Sequence, residues 1–136
     1  LVIGGDNLFD QGLEGFLKWA GRKSPAVSAG LFDIQDKIKA TQFGVATLDP
    51  QKRISSFEEK SKAPQSTLIG MCLYFFPKPS LHWINDYLGE SQKADTTGDF
   101  IKWLSQRETV YGFVFTGKWY DIGSLEAYRE AQKNFS

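Results

Sequence analysis

Apolar residues along the chain follow two periods, which together predict strands that alternate with helices. Short apolar or alternating runs bounded by turn residues predict strands. These runs cover residues 1–3, 26–34, 43–48, 53–57, 66–76 and 110–116. Apolar residues at helical spacing predict helices that begin near residues 10, 79, 97 and 124. The alternation is typical of an α/β fold, in which helices flank a central sheet.

The segment 43–60 is predicted to form a β-hairpin that carries polar groups at its open end. Asp49 before Pro50 is typical of a tight turn between two strands. The pairing would bring Gly44, which offers an unhindered backbone N–H, close to Glu58-Glu59-Lys60. Carboxylates accept hydrogen bonds from polyol hydroxyls, whereas cations and N–H groups bind phosphate. The same pattern also fits a surface hairpin with a solvated charge cluster.

Two further stretches place an aspartate after a predicted strand. Gly4-Gly5-Asp6-Asn7 follows the strand at residues 1–3, which is expected to be buried, and Trp119-Tyr120-Asp121-Ile122-Gly123 follows the strand at residues 110–116. Carboxyl ends of parallel strands line the ligand crevice of α/β sheets, and Mg²⁺ there takes few protein carboxylates. The alternatives are structural: a turn shaped by Asp6 or its neighbour, and a helix start at Asp121.

Composition and charge exclude several classes of function. The 136 residues, 41% of them hydrophobic, suffice for one packed domain. Lys plus Arg and Asp plus Glu each number 16, so this neutral chain without a basic run predicts no nucleic-acid and no membrane-surface partner. A single cysteine excludes an internal disulfide and suits a reducing compartment. No apolar run is long enough to span a membrane, and we predict a soluble, cytoplasmic protein.

Helix boundaries and buried faces are predicted from caps and apolar spacing. Asp10 is the candidate N-cap of the first helix and Gly21 its candidate end. Later helices have Thr97 or Asp99, and Ser124, as candidate caps. The predicted buried faces comprise Leu13, Phe16, Leu17 and Ala20 in the first helix, Leu81, Ile84 and Leu88 in the second, and Leu125, Tyr128 and Ala131 in the last.

Four residues with reactive or stacking side chains are interpreted as structural. Cys72 lies in the long apolar run at residues 66–76, predicted to be a central strand, and is taken as a buried small hydrophobe. His82 is interpreted as a surface or packing residue on its helix. Trp83 and Trp103 are assigned to the core rather than to a sugar-stacking surface.

The motifs around Asp6, Glu58-Glu59-Lys60 and Asp121, in this order and spacing, resemble the second half of the catalytic domain of sugar-1-phosphate nucleotidylyltransferases. That family includes glucose-1-phosphate thymidylyltransferases and mannose-1-phosphate guanylyltransferases, and the similarity runs over essentially the whole chain. The implied fold is a partial doubly wound, Rossmann-like mixed sheet of the nucleotide-diphospho-sugar transferase type, flanked by helices and carrying a β-hairpin. Residues 1–136 would form the C-terminal part of this domain, without the family's glycine-rich GGxGTR loop for the nucleotide.

The resemblance implies transfer of a nucleotidyl group from a nucleoside triphosphate to a sugar 1-phosphate, which gives a nucleotide sugar and pyrophosphate. Asp6 and Asp121 would bind Mg²⁺ and, with Lys60, form the implied catalytic set. Lys60 would also hold the sugar phosphate. The implied substrate-binding residues are Phe43, Gly44, Glu59 and Lys60. Without the nucleotide-binding half, the chain alone is expected to be inactive or nearly so.

Two departures from the family pattern keep other interpretations open. Cys72 stands where the family usually has glycine, and Ser61 replaces a proline. One alternative is a non-catalytic regulatory or nucleotide-sugar-binding module related to pyrophosphorylase subunits. Another is an interaction domain, because loss of the first half of the sheet would leave an exposed edge. Such an edge would pair with the missing half or with a second copy of the chain.

Overall fold

A mixed sheet of six strands lies at the centre of the computed structural model, which describes residues 1–90 and 96–135. A second sheet of two strands pairs residues 7–9 with residues 119–121. The strands are β1 Val2–Ile3, β2 Asn7–Phe9, β3 Val27–Asp33, β4 Gly44–Leu48, β5 Ile54–Glu59, β6 Leu68–Phe75, β7 Val110–Phe115 and β8 Trp119–Asp121. The helices are α1 Glu14–Arg22, α2 Lys37–Ala40, α3 His82–Glu90, α4 Thr97–Ser105 and α5 Leu125–Asn134, with a 3-10 helix at Lys78–Ser80. The predicted α/β class is confirmed.

The other strands are arranged around β6, which confirms the predicted central strand. Along one side, β6 pairs antiparallel with β3. Along its other side, β6 pairs with β1 at one end and with β4 at the opposite end. The order is β5-β4-β6-β3-β7, and β3–β7 is a parallel pair. The strands β1, β3 and β4 run antiparallel to β6, and β7 runs parallel to β3. Therefore β1, β3, β4 and β7 all run in one direction.

A bulge interrupts β6 where its partner changes from β4 to β1. The pairing with β3 passes from Ala29↔Tyr74 to Leu31↔Gly70, so one residue of β3 faces three of β6. Cys72 lies in this bulge with a φ of 53°, in the left-handed region that favours glycine. Cys72 is also only partly buried, so its interpretation as a buried small hydrophobe is wrong.

Apolar residues on both faces of the sheet form the core, because alternate side chains of a strand point to opposite faces. On one face, α3 and α4 pack against a cluster that includes Ala29, Leu31, Tyr74, Ile101 and Leu104. On the other face, α1 contributes to a cluster of Phe16, Ala20, Met71, Leu73 and Phe115. Trp83 and Trp103 pack against the first cluster, as predicted.

The predicted hairpin is confirmed as β4 and β5, with Gly44 opposite Glu59. Asp49 stabilises the turn, because its Oδ1 accepts hydrogen bonds from the backbone N–H groups of Gln51 and Arg53, both at 2.9 Å. The two ends of the segment are therefore adjacent, as the turn residues predict.

The hairpin tip covers part of one sheet edge. Gly112 N donates to Lys52 O at 2.8 Å, and Arg53 bridges to Tyr111 of β7. At the other edge, β5 packs against α4. The strand β1 is not covered in this way, because its residues Val2–Ile3 are 40% and 45% exposed. The expectation of a buried first strand is therefore wrong. The exposed β1 fits the hypothesis of an exposed edge.

The first helix begins and ends later than predicted. The N-cap of α1 is Leu13, which makes no side-chain cap bond, and Gly21 lies inside the helix. Asp10 is not the cap, because its Oδ1 accepts a hydrogen bond from Lys118 N at 2.8 Å. Asp10 N also donates to Lys118 O, which extends the pairing of β2 with β8. The Asp10 carboxylate therefore binds a partner that is distant in the sequence, Lys118, instead of capping the adjacent helix.

The caps of α4 and α5 can be compared with the predicted ones. Thr96, rather than Thr97 or Asp99, caps α4, because its Oγ1 accepts a hydrogen bond from Asp99 N at 3.0 Å. Ser124 caps α5 as predicted, with its Oγ accepting from Ala127 N at 3.1 Å. Both caps satisfy a backbone N–H in the first turn of the helix.

Two helices bury narrower faces than predicted. Leu81 before α3, Leu88 in α3, and Leu125 and Tyr128 in α5 are exposed, so their assignment to buried faces is wrong. In α3 the buried residue is Tyr87, whose ring packs on α4, and in α5 it is Ala131. Within the described ranges, no helix combines the length and the apolar character that a membrane span requires.

Two buried serines allow the core packing to be tested. Ser28 Oγ has no hydrogen-bond partner among the described residues, whereas Ser80 Oγ donates to Pro25 O. A buried polar group without a partner costs about 1–3 kcal/mol. Ser28→Ala should therefore leave the free energy of unfolding unchanged or raise it by about 1 kcal/mol, and Ser80→Ala should lower it by about 1 kcal/mol. Urea denaturation measures both, and equal losses in the two variants would contradict this packing.

Candidate active site

A gap in the pairing of β6 opens a cavity of about 220 Å³. On one side of β6, the β1 pairing reaches Ile3↔Leu73, and the β4 pairing begins at Val45↔Ile69. Residues 70–72 lie between these points and form the floor of the cavity. Because β1 and β4 run in the same direction, the carboxyl end of β1 faces the amino end of β4 across the gap.

Most of the predicted site residues surround this floor. Asp6, Phe43, Gly44, Glu59 and Asp121 all line the cavity, whereas Lys60 does not. The further lining residues are Asn7, Gln42, Phe57, Tyr74, Thr97, Gly98 and Trp119. Residues more than a hundred positions apart in the sequence therefore meet at one place, as the three motifs predict.

The two aspartates converge on Gly123. Asp6 follows β1, Asp121 ends β8, and Asn7 beside Asp6 pairs with Asp121 in the two-stranded sheet. Ile122 N donates to Asp6 O at 2.8 Å, which joins the two segments. A Cβ added at Gly123 would lie 3.1 Å from a carboxylate oxygen of each aspartate. Both carboxylates therefore face the same small space.

The surroundings of Asp121 disfavour its charged form. Burial raises the pKa of the Asp121 carboxyl, and the nearby Asp6 carboxylate raises it further. The Gly123 N–H, 3.0 Å from Oδ1, lowers this pKa. In residues 1–90 and 96–135 no group of three or more His, Cys, Asp and Glu side chains is arranged to hold a metal. The two carboxylates that converge on Gly123 are ligands of the kind that a hard divalent cation takes, since Mg²⁺ needs few protein carboxylates.

Asn7 fixes the segment that carries Asp6, a role that the sequence pattern did not predict. Its side-chain amide donates to Met71 O and, at 3.3 Å, to Gly4 O. Its Oδ1 accepts a hydrogen bond from Trp119 Nε1 at 2.8 Å. One side chain thus joins β6, the loop after β1, and β8. The signal available in the sequence was its position directly after Asp6, which fitted a simple turn equally well.

Phe43 and Gly44 form the wall at the amino end of β4. Lys60 N donates to Phe43 O at 3.0 Å, so the alternating pattern of the antiparallel pair directs the Gly44 N–H away from β5 and towards the gap. A Cβ at Gly44 would lie 2.5 Å from Phe57 Cζ, so packing requires glycine here. The Phe43 ring packs edge-on against Trp119, with centroids 5.6 Å apart.

Glu59 supplies a carboxylate beside this wall. It packs against α4 so closely that a Cβ at Gly98 would lie 1.6 Å from Glu59 Oε1. Burial raises the pKa of the Glu59 carboxyl, the Asp99 carboxylate raises it further, and Lys60 lowers it. A partly buried acceptor held against a glycine is suited to a hydroxyl ligand.

Lys60 lies at the rim rather than in the wall of the cavity. It follows β5 with a φ of 48°, and its side chain is exposed. The ion pairs found among the described residues do not include Lys60. A cation is therefore available next to Glu59, with a long side chain to reach the cavity mouth.

Cys72 narrows the cavity between the loop after β1 and α4. Its Sγ lies 3.3 Å from Thr97 Oγ1, and a Cβ added at Gly4 would lie 3.1 Å from both Cβ and Sγ of Cys72. The left-handed φ of Cys72 gives a physical reason for the glycine that the resemblance places at this position. The thiol thus occupies space that a glycine would leave open.

The family model for Nucleotidyl transferase matches residues 1–136. The chain belongs to this family. A glucose-1-phosphate adenylyltransferase from Thermosipho africanus (strain TCF52B) is 29% identical over an alignment of 136 positions, which covers 96% of this chain and 32% of that protein. The chain therefore spans about a third of the length of this relative. The match confirms the resemblance to sugar-1-phosphate nucleotidyltransferases.

The fold is confirmed by a solved structure. A crystal structure from Bacillus anthracis, of a protein assigned as a glucose-1-phosphate thymidylyltransferase and complexed with sucrose, superposes with a TM-score of 0.80 at 21% identity. The match covers 97% of this chain and 52% of that chain. This nucleotidyl transferase chain thus has the Rossmann-like mixed fold that its motifs imply.

The contact of Gly98 with Glu59 predicts a coupling that a matched glycine can isolate. Gly98 and Gly15 are each the second residue of a nine-residue helix, but a Cβ at Gly15 meets nothing within 4 Å. Gly15→Ala should raise the free energy of unfolding by about 0.5–1 kcal/mol through helix propensity. Gly98→Ala should lower it by about 1–3 kcal/mol, because the Glu59 carboxylate must move.

The control for this coupling is a double-mutant cycle measured by urea denaturation. In a Glu59→Ala background, Gly98→Ala should stabilise the fold as Gly15→Ala does. The resulting coupling energy should be about 1.5–4 kcal/mol, which is the loss of about 1–3 kcal/mol in the parent chain plus the gain of about 0.5–1 kcal/mol in this background. Additive effects of the two substitutions would show that Gly98 and Glu59 do not touch.

The raised pKa of Glu59 predicts a pH-dependent stability. The folded carboxyl binds its proton more tightly than the unfolded one does, so its ionisation destabilises the fold as the pH rises above about 4.3. Glu59→Gln cannot ionise and should have the higher melting temperature near neutral pH, by a margin that shrinks in acid. Asp99→Asn should reduce this margin, since Asp99 contributes to the shift. Thermal unfolding at several pH values tests this, and a margin independent of pH would refute it.

Proposed function

We propose that this chain forms the sugar-phosphate side of an enzyme that makes a nucleotide sugar and pyrophosphate from a nucleoside triphosphate and a sugar 1-phosphate. The observation that carries the proposal is the meeting of Asp6, Asp121 and Glu59 around one cavity of about 220 Å³. Membership of the nucleotidyl transferase family supports the reaction class. The adenylyltransferase and thymidylyltransferase names of the relatives suggest glucose 1-phosphate as the first substrate to test.

The sugar would lie against the wall at the amino end of β4. Glu59 would accept hydrogen bonds from its hydroxyls, and the Gly44 N–H would donate to a sugar oxygen. Phe43 and Trp119 would supply the apolar side of the cavity. Because Gly98 and Phe57 hold these groups by packing, the sugar would meet a wall that is already arranged.

The phosphate groups would lie nearer the aspartates. Lys60 at the rim would bind the sugar phosphate as a point charge. Asp6 and Asp121 would hold Mg²⁺, because two carboxylates that converge on one space leave room for waters and phosphate oxygens as the remaining ligands. The ion would neutralise phosphate charge during nucleotidyl transfer. Gly123 would keep this space free of a side chain.

The nucleotide would be bound mainly by residues outside the sequence described here. The GGxGTR loop of the family has no counterpart in the printed sequence. We therefore assign the triphosphate to another part of the protein or to a partner chain, and expect little or no turnover from these 136 residues alone.

The test is calorimetric titration of the chain with glucose 1-phosphate in the presence of Mg²⁺. Lys60→Ala should weaken binding by about tenfold or more, since a charge-assisted contact contributes about 1.5–3 kcal/mol. Lys62→Ala is the matched control, because Lys62 is an exposed lysine two residues further on, and it should leave the affinity unchanged. Replacement of both aspartates by asparagine should remove the Mg²⁺ dependence.

The outcomes separate the proposal from its alternative. Equal weakening by Lys60→Ala and Lys62→Ala would indicate nonspecific attraction and would contradict the assigned role of Lys60. Binding of a nucleotide sugar that ignores both Mg²⁺ and the aspartate substitutions would favour a non-catalytic binding module. The exposed position of Lys60 and the thiol of Cys72 in the cavity are the observations compatible with that alternative.

A further inference from the structure

A second and larger cavity, of about 700 Å³, lies at the other end of the parallel strands. It is bounded by the end of α1, the loop at residues 23–26, the start of α3 and the start of β7, and it shares no lining residue with the candidate active site. The active-site aspartate Asp121 follows the carboxyl end of β7, whereas this cavity meets its amino end. A strand of six or seven residues separates the two by about 20 Å.

The walls of this second cavity are fixed by hydrogen bonds between its segments. Ser80 is buried, and its Oγ donates to Pro25 O, which joins the loop after α1 to the segment before α3. Within the loop, Ala26 N donates to Lys23 O at 2.9 Å, and Ser24 N donates to Gly21 O at 3.3 Å. The cavity is therefore formed without any ligand.

The cationic side chains of this cavity exceed its anionic ones. Arg22 and Lys23 line it, against a single carboxylate, Glu108. No ion pair involving Arg22 or Lys23 is found in the described part of the chain. The imidazole of His82 also lines the cavity, and its Nδ1 lies 2.9 Å from the Asp86 carboxylate.

Aromatic rings hold the Lys23 ammonium without neutralising it. Its Nζ lies 4.8 Å from the centroid of the Tyr111 ring and 5.4 Å from that of Trp19. A cation–π contact of this kind fixes the position of the ammonium while its charge remains available to an anion. Lys23 is therefore positioned before a ligand arrives, and Arg22 lies next to it in the sequence.

We propose that this second cavity binds a phosphate-bearing anion, held by the Lys23 ammonium and the Arg22 guanidinium. Guanidinium and ammonium groups are the side chains that bind phosphate most strongly. The hydroxyl of Ser24 at the cavity wall adds a hydrogen-bond donor, and Trp83 gives an apolar side for the organic part of a phosphate ester. This site is independent of the sugar cavity and of the function proposed for it.

The experiment is a titration of the isotope-labelled chain with inorganic phosphate at constant ionic strength, followed by NMR. Saturable shifts should appear at the amides of residues 22–24 and 26 and at the Trp83 indole. Arg22→Gln combined with Lys23→Gln should weaken this binding at least tenfold, while Lys23→Arg should retain it. Lys18→Gln is the matched control, because Lys18 lies on α1 and already pairs with Glu14 at 3.0 Å.

Three results would overturn the proposal. These are shifts confined to the residues around Asp6, Lys60 and Asp121, equal weakening by Lys18→Gln and the double variant, and linear shifts without saturation. Lys60→Ala should leave the response at residues 22–26 unchanged, and this result separates the second cavity from the active site. Arg22→Gln alone replaces an exposed side chain and should also weaken the binding, which keeps the test decisive if the double variant does not fold.

Discussion

The candidate active site depends on two carbonyl groups of β6 that the bulge at Cys72 releases from strand pairing. Both carbonyl groups accept hydrogen bonds from the segment that carries Asp6. Gly4 N donates to Cys72 O at 2.8 Å, and the Asn7 amide donates to Met71 O. Unpaired buried carbonyls are costly, so these bonds fix the segment firmly. The bulge thus both opens the gap between β1 and β4 and places a carboxylate at its border.

This arrangement concentrates unfavourable features in one place. Cys72 adopts a backbone conformation that costs a residue with a side chain about 1–2 kcal/mol. The carboxyl of Glu59 is partly desolvated, and Asp6 raises the pKa of Asp121. The packed clusters on both faces of the sheet must offset these costs. Local strain and like charges that persist in an otherwise consistent fold are typical of sites that bind a ligand or a cation.

Hydrogen bonds between residues close in the sequence were predictable from the sequence, whereas hydrogen bonds between distant residues were not. The hairpin turn at Asp49 and the cap at Ser124 follow from residues within four positions, and both are confirmed. Asp10 had an equally good local role as a cap, but a partner 108 positions away took its carboxylate. Asn7 likewise meets β6 across 64 positions. The motifs therefore indicated most of the residues that line the candidate site, with Lys60 outside its lining, while the side chains that hold these residues in place required the tertiary structure.

The strand directions explain why a rule for parallel sheets applied to a largely antiparallel one. The rule places ligands at the carboxyl ends of parallel strands. Here β6 runs antiparallel to its neighbours, but β1 and β7, which lie on either side of it, point the same way. The residues after these two strands, Asp6 and Asp121, therefore emerge at one edge of the sheet. The predicted position of the two aspartates depended on β1 and β7 running in the same direction, and it did not require these two strands to be neighbours. The second cavity borders the amino ends of β3 and β7, the parallel pair, and therefore lies at the opposite end of these strands from the two aspartates.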